Sequence, residues 1–192
     1  MNSNFETLTK IIKGRRSIFP ASYIKKEIPV EVIEQILESA NYAPTHKLTQ
    51  PWRFVVIRNG AKARLGATLG QLYKEKVGSE AFLQKKYDSF AQKTEQADCI
   101  LAINIQFHPE KVPNWEEIAA VACAVQNIAL TAESLNIGGY WSSPPLINDL
   151  TEFLALAENE KCFGLFYMGY HEEEARKVNR TPMDRKIKWL EK

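Results

Sequence analysis

The sequence predicts an α+β domain, and three observations carry that prediction. Three short apolar runs, at residues 53–57, 99–107 and 162–170, have the length and the β-branched or aromatic content of strands. Around them lie stretches whose apolar residues recur at helical spacing, the longest at 115–135. With 192 residues, no internal repeat and no linker rich in Gly, Pro and Ser, residues 1–192 amount to one domain.

Each element has its own warrant. Phe5, Leu8, Ile11 and Ile12 share a helical face, and Gly14 can stop that helix just before Arg15-Arg16-Ser17. Pro29 opens a second helix over 30–42, with Val32, Ile33, Ile36, Leu37 and Ala40 on one side, and Pro44 ends it. Strand 53–57 is bounded by Pro51 and by Asn59-Gly60. Residues 61–96 are polar and helical, divided near Gly78-Ser79. Strand 99–107 is apolar at nearly every position, which suits the centre of a sheet. The helix over 115–135 carries Ile118, Val121, Val125, Ile128 and Leu135, with alanines at 119, 120, 122, 124, 129 and 132 around its girth. A helix apolar all round is buried on several sides, and in so short a chain a subunit interface is one way to bury it. Gly138-Gly139-Tyr140-Trp141 reads as a strand or turn, followed by a short helix over 150–157 and strand 162–170. The polar tail ends in Ile187-Lys188-Trp189-Leu190, an apolar segment of the kind that docks on its own core or on a partner subunit.

Charge and composition exclude several classes. Lys and Arg total 25 against 23 Asp and Glu, a net charge of +2, too balanced to favour nucleic acid or an anionic membrane. Cys99, Cys123 and Cys162 are odd in number and set in apolar runs, so they read as reduced core residues of a reducing compartment. Residues 1–13 lack the pattern of a signal peptide, and no apolar run approaches a membrane span. A soluble cytoplasmic protein is the expectation. No G-x-G-x-x-G after a strand, P-loop, G-x-S-x-G, H-E-x-x-H or C-x-x-C occurs, and His46, His108 and His171 are far apart in sequence.

Two segments carry chemistry. Arg15-Arg16-Ser17 sets two guanidiniums and a hydroxyl in a row, a good cradle for a phosphate monoester because Arg donates bidentately to its oxygens. A solvated last helical turn is the plainer explanation. Residues 43–54 form a loop between Pro44 and Pro51, dense in hydrogen-bonding side chains and feeding directly into a strand. Here the plainer explanation is a surface connection with Trp52 as a core anchor.

Together, in this order, the two segments resemble the nitroreductase family. That family has a first helix ending in R-R-S, then A-P-S-x-x-x-x-Q-P-W-x-F before its first strand. Arg15-Arg16-Ser17, Ala43-Pro44-Thr45 and Gln50-Pro51-Trp52-Arg53-Phe54 match it. Val112-Pro113-Asn114-Trp115-Glu116 and Gly138-Gly139-Tyr140-Trp141-Ser142-Ser143 extend the likeness toward the short YdjA-type branch. The resemblance implies a mixed, mostly antiparallel sheet flanked by helices, in an intertwined homodimer. It also implies an FMN-dependent oxidoreductase that uses NADH or NADPH to reduce a small acceptor, such as a nitroaromatic or quinone, by a ping-pong mechanism. Arg15, Arg16 and Ser17 match positions that hold the FMN phosphate, ribityl chain and pyrimidine edge. Thr45, His46 and Gln50 match positions contributed by the second subunit, and Trp141, Ser142 and Ser143 match the loop against the isoalloxazine ring. Ser142 and Pro144 depart from the branch's W-R-S-G. Arg180 matches a second phosphate-binding Arg of longer relatives, and Thr131 a position linked to the nicotinamide nucleotide, although a helical Thr is more commonly packing. No catalytic side chain is required, since the flavin carries the chemistry. The alternatives are a non-catalytic flavin-binding or redox-sensing protein, and a same-fold enzyme that performs dehalogenation, enone reduction or flavin fragmentation.

Overall fold

The computed structural model describes residues 3–174 and 179–191. Five helices, α1 (Ser3–Gly14), α2 (Val30–Ala40), α3 (Gly60–Val77), α4 (Gln84–Gln96) and α5 (Asn114–Ser134), surround four strands. The strands are β1 (Trp52–Ile57), β2 (Cys99–Gln106), β3 (Ile137–Ser142) and β4 (Glu160–Tyr170), in the spatial order β1-β2-β4-β3. All three strand pairings are antiparallel, and parallel pairing is confined to an isolated bridge between Ser17 and Gly139.

The sheet divides the apolar interior. One layer joins α2 and α5 to Leu101, Ile103, Ile105 and Met168, with Ile28, Ile36 and Ile128 fully buried there. The other packs α3 and α4 through Leu65, Leu69 and Phe90 against Ile100, Ala102, Leu165 and Tyr167. As the apolar run predicts, β2 is central and buried along nearly its whole length. Trp52 is the core anchor its sequence position suggests.

Two expectations need correction. Residues 150–157 form no helix: a 3₁₀ segment, Pro145–Asp149, leads into turns, and Ala155 takes φ 52°. That left-handed residue breaks the helical path that the apolar spacing suggests. Cys99 and Cys162 are buried, but Cys123 is exposed, because it shares an outward stripe of α5 with Trp115, Ala119 and Gln126. The first helix forms as its spacing predicts, but α1 buries no residue: Phe5, Leu8 and Ile12 are each at least half exposed. Among the described residues, nothing covers Phe5, Leu8 and Ile12 of α1 or the outer stripe of α5.

Candidate functional site

The chain after α1 is laid along the sheet margin by backbone contacts. The Ile18 amide donates to the Gly139 carbonyl at 3.1 Å, beside the Ser17–Gly139 bridge. The Tyr23 hydroxyl, donating between the Ile18 carbonyl at 2.7 Å and the Tyr167 carbonyl at 3.0 Å, clamps the segment to β4. Burial pushes the Tyr23 and Tyr167 phenols well above the usual tyrosine range, so both stay neutral and Tyr23 keeps the proton it donates. Gly138 and Gly139 permit this close approach. A Cβ on Gly138 would lie 2.9 Å from Ile18 Cβ, and one on Gly139 would run into the Phe166 ring.

Arg15 and Arg16 are thereby delivered to the edge of β3. The Arg16 guanidinium donates through one terminal nitrogen to the Lys13 carbonyl at 2.6 Å and the Arg15 carbonyl at 2.7 Å. Its Nε is buried and has no acceptor. Among the described residues, no carboxylate pairs with either arginine. Two adjacent cations, one of them held by backbone carbonyls and left with an unspent buried N–H, make an anion-binding cradle. Farther along β3, Trp141 packs edge-on against Phe163 at 5.4 Å and also leaves its buried indole N–H without an acceptor. Ser142 is half-buried and Ser143 exposed. Thr131 is half-buried toward the C-terminal end of α5, its carbonyl accepting the Ser134 hydroxyl at 2.7 Å.

The second loop is built around Thr45. Its hydroxyl accepts the Gln50 amide at 3.1 Å and lies 3.2 Å from the Thr49 hydroxyl. Lys47, Leu48 and Gln50 take φ of 48°, 54° and 42°. Left-handed backbone costs a non-glycine residue roughly 1–2 kcal/mol, so the loop depends on external anchors. His46 Nδ1 lies 2.5 Å from Glu116 Oε2, and the Lys47 ammonium donates to the Lys111 carbonyl at 2.9 Å. His46 and Gln50 are exposed.

The sequence-predicted residues thus fall into two groups that one chain keeps apart. Glu116 lies in the first turn of α5, beside His46, whereas Gly14 packs against Glu133 near the last turn. The offset of 17 positions between these two glutamates spans about 26 Å of helix. Across the sheet, Trp52 aligns with Ile105, while Gly139 aligns through Met168 with Cys99. Six residues along β2 and three strand spacings across amount to about 24 Å. Arg180 is exposed, and no hydrogen bond or ion pair joins it to either group. Glu116 belonged to a quoted motif, but nothing in the sequence indicated that it would pair with His46.

An α+β sheet carrying an arginine cradle on one margin and a tight polar loop at the opposite corner defines the structural class. The family follows from comparison with known proteins. The profile of the Nitroreductase family matches residues 12–170, and the chain belongs to that family. Among relatives, YfhC of Bacillus subtilis, named as an NAD(P)H nitroreductase, is 28% identical over 179 residues, covering 92% of this chain and 90% of its own. YdjA of Escherichia coli, likewise named as an NAD(P)H nitroreductase, is 30% identical over 164 residues, covering 83% and 86%. The crystal structure of the FMN-dependent nitroreductase NfnB from Mycobacterium smegmatis, in complex with NADPH, shares the fold. Its TM-score is 0.80 at 16% identity, over 98% of this chain and all of that one.

Proposed function

We propose that this protein is an FMN-dependent oxidoreductase that takes electrons from NADH or NADPH and passes them to a small acceptor, such as a nitroaromatic or a quinone, by a ping-pong mechanism. The observation that carries this reading is the pair of guanidiniums at Arg15 and Arg16, paired with no carboxylate among the described residues and set beside Ser17 and β3, with the Arg16 Nε–H buried and unspent. The residues fit FMN. A phosphate monoester carries about −2 charge, and the buried, unspent N–H of Arg16 supplies the kind of donor such an anion takes. The names of the relatives and the NADPH held by NfnB support the nicotinamide donor.

Each residue group has a stated task. Arg15 and Arg16 hold the phosphate, Ser17 hydrogen-bonds the polar edge, and Trp141, Ser142 and Ser143 border the ring. Arg180 offers a second phosphate contact, and Thr131 borders the nicotinamide. When bound, FMN supplies the hydride chemistry that side chains lack. Thr45, His46 and Gln50 act on the site of a second copy, because their own cradle is about 25 Å away. A homodimer is therefore part of the reading. It would cover the outer stripe of α5, the apolar face of α1 and the exposed Ile187, Trp189 and Leu190. Among the described residues, no helix is long and apolar enough to cross a membrane. The free cysteines suit a reducing cytoplasm.

Purified protein is expected to show flavin bands near about 370 and 450 nm and to sediment at twice the 21.9 kDa chain mass. Mixing with NADH or NADPH in a stopped-flow instrument should bleach the longer-wavelength band within seconds. Protein that takes up no FMN overturns the reading. A bound flavin that neither nucleotide reduces would make the protein a flavin carrier.

A further inference from the structure

Two consecutive glutamates open α5, and each takes a histidine. Glu117 is buried and accepts both the backbone amide and Nδ1 of His108, each at 2.8 Å. That pair ties the segment before α5 onto the helix, and nothing of it faces outward but the rim of the His108 ring. Glu116 makes the contrasting pair. Its carboxylate reaches His46 Nδ1 at 2.5 Å, from a position 70 residues away, with side-chain exposures of 21% for Glu116 and 59% for His46. His46 Nε2 has no protein partner among the described residues. The positive end of the helix dipole favours a carboxylate in this first turn, whether or not His46 is there. The adjacent Lys47 donates to the Lys111 carbonyl, so a second contact ties the segment that bears His46 to the chain before α5.

An imidazole bound through one nitrogen has a single functional nitrogen left, and the bound one sets the tautomer. We infer that Glu116 is a positioning residue for His46: it accepts the Nδ1 proton and so presents Nε2 to the electron acceptor at the neighbouring subunit's flavin site. The inference rests on the reading that the 45–50 loop serves the site of a second copy. Held in this way, His46 meets an acceptor oxygen, of a nitro group or a quinone, through Nε2 alone. Protonated, it donates Nε2–H to that oxygen; neutral, with its proton on Nδ1, it can accept only from the hydroxyl of the reduced product. Glu116 touches neither cofactor nor acceptor, and its whole effect passes through the imidazole.

The test compares Glu116→Ala, Glu116→Gln, His46→Ala and the Glu116→Ala/His46→Ala double variant. Absorbance verifies flavin content and sedimentation verifies assembly. The first readout needs no flavin: the ring ¹⁵N shifts of His46 in the apo-protein. Wild type and Glu116→Gln, whose amide oxygen still accepts, should show the Nδ1–H tautomer, and Glu116→Ala should lose it. The second readout is turnover. His46→Ala should lower kcat/KM for the acceptor about 3- to 30-fold without changing that for the nicotinamide. Glu116→Ala should match it, Glu116→Gln should keep most of the wild-type value, and the double variant should be no worse than His46→Ala. Full turnover or an unchanged tautomer in Glu116→Ala, alongside an impaired His46→Ala, overturns the positioning role alone. So do additive losses in the double variant. A silent His46→Ala with flavin bound overturns the underlying reading of the loop.

Discussion

Replacing both Arg15 and Arg16 by alanine removes the cradle's charge while leaving Ser17, β3 and the core in place. Charge-assisted hydrogen bonds contribute roughly 1.5–3 kcal/mol each. Losing both arginines should therefore weaken FMN binding by about 3–6 kcal/mol, or about 10²- to 10⁴-fold. Arg16 has a second role, because its guanidinium satisfies the carbonyls of Lys13 and Arg15 at the end of α1. Its removal should fray that turn at a cost of about 1 kcal/mol. Since α1 buries no residue in the single chain, the rest of the chain's fold should persist. The assay is a fluorescence titration of apo-protein with FMN and, separately, with riboflavin, which lacks the phosphate. Wild type should prefer FMN strongly, and the double variant should bind the two flavins almost equally, with little change for riboflavin. Added salt should narrow the preference in wild type. Unchanged FMN affinity would refute the phosphate assignment. An equal loss for riboflavin would mean that the arginines shape the site and do not hold the phosphate.

Four further outcomes are expected. His46→Ala should retain FMN yet slow acceptor turnover about 3- to 30-fold, some 0.7–2 kcal/mol of transition-state energy; a loss beyond 10²-fold would make the imidazole an obligatory proton carrier. Ala122→Glu, on the exposed side of α5 next to Cys123, should give a folded monomer with little flavin, and a flavin-loaded dimer by sedimentation would contradict this. Gly139→Ala forces a methyl group into the Phe166 ring, an overpacking cost of about 1–3 kcal/mol that should lower Tm by several degrees; an unchanged Tm would show that the ring yields freely. Burial raises the Cys99 thiol to about 12 and the Cys162 thiol to about 11, from 9.0. A raised folded-state value means that stability is complete below pH 9 and is lost as pH climbs through 11 to 12, at about 1.4 kcal/mol per unit for each thiol. Urea midpoints measured from pH 8 to 11 should fall more steeply in wild type than in Cys162→Ala, and parallel curves would count against it.

Much of the fold was legible because it is written in short-range patterns. The strand runs, the break at Gly78 and the long helix all appear within a residue or two of their predicted limits, since apolar periodicity and Gly or Pro punctuation are local signals. The misreadings share a physical origin. Cys123 and the stretch after Leu150 were judged from composition. Composition says that a residue is apolar but not which surface it meets.

The nitroreductase motifs are contiguous runs, so the sequence by itself determined the family, the α+β class and the residues of each segment. Tertiary structure decided which segments meet. The pairing of Ser17 with Gly139 brings the arginines to β3, and the contact of His46 with Glu116 assigns the second loop to the other end of α5. Both contacts join residues 70 or more positions apart, and each was selected by core packing and strand register. No local spacing encodes which end of a 21-residue helix a distant loop will reach.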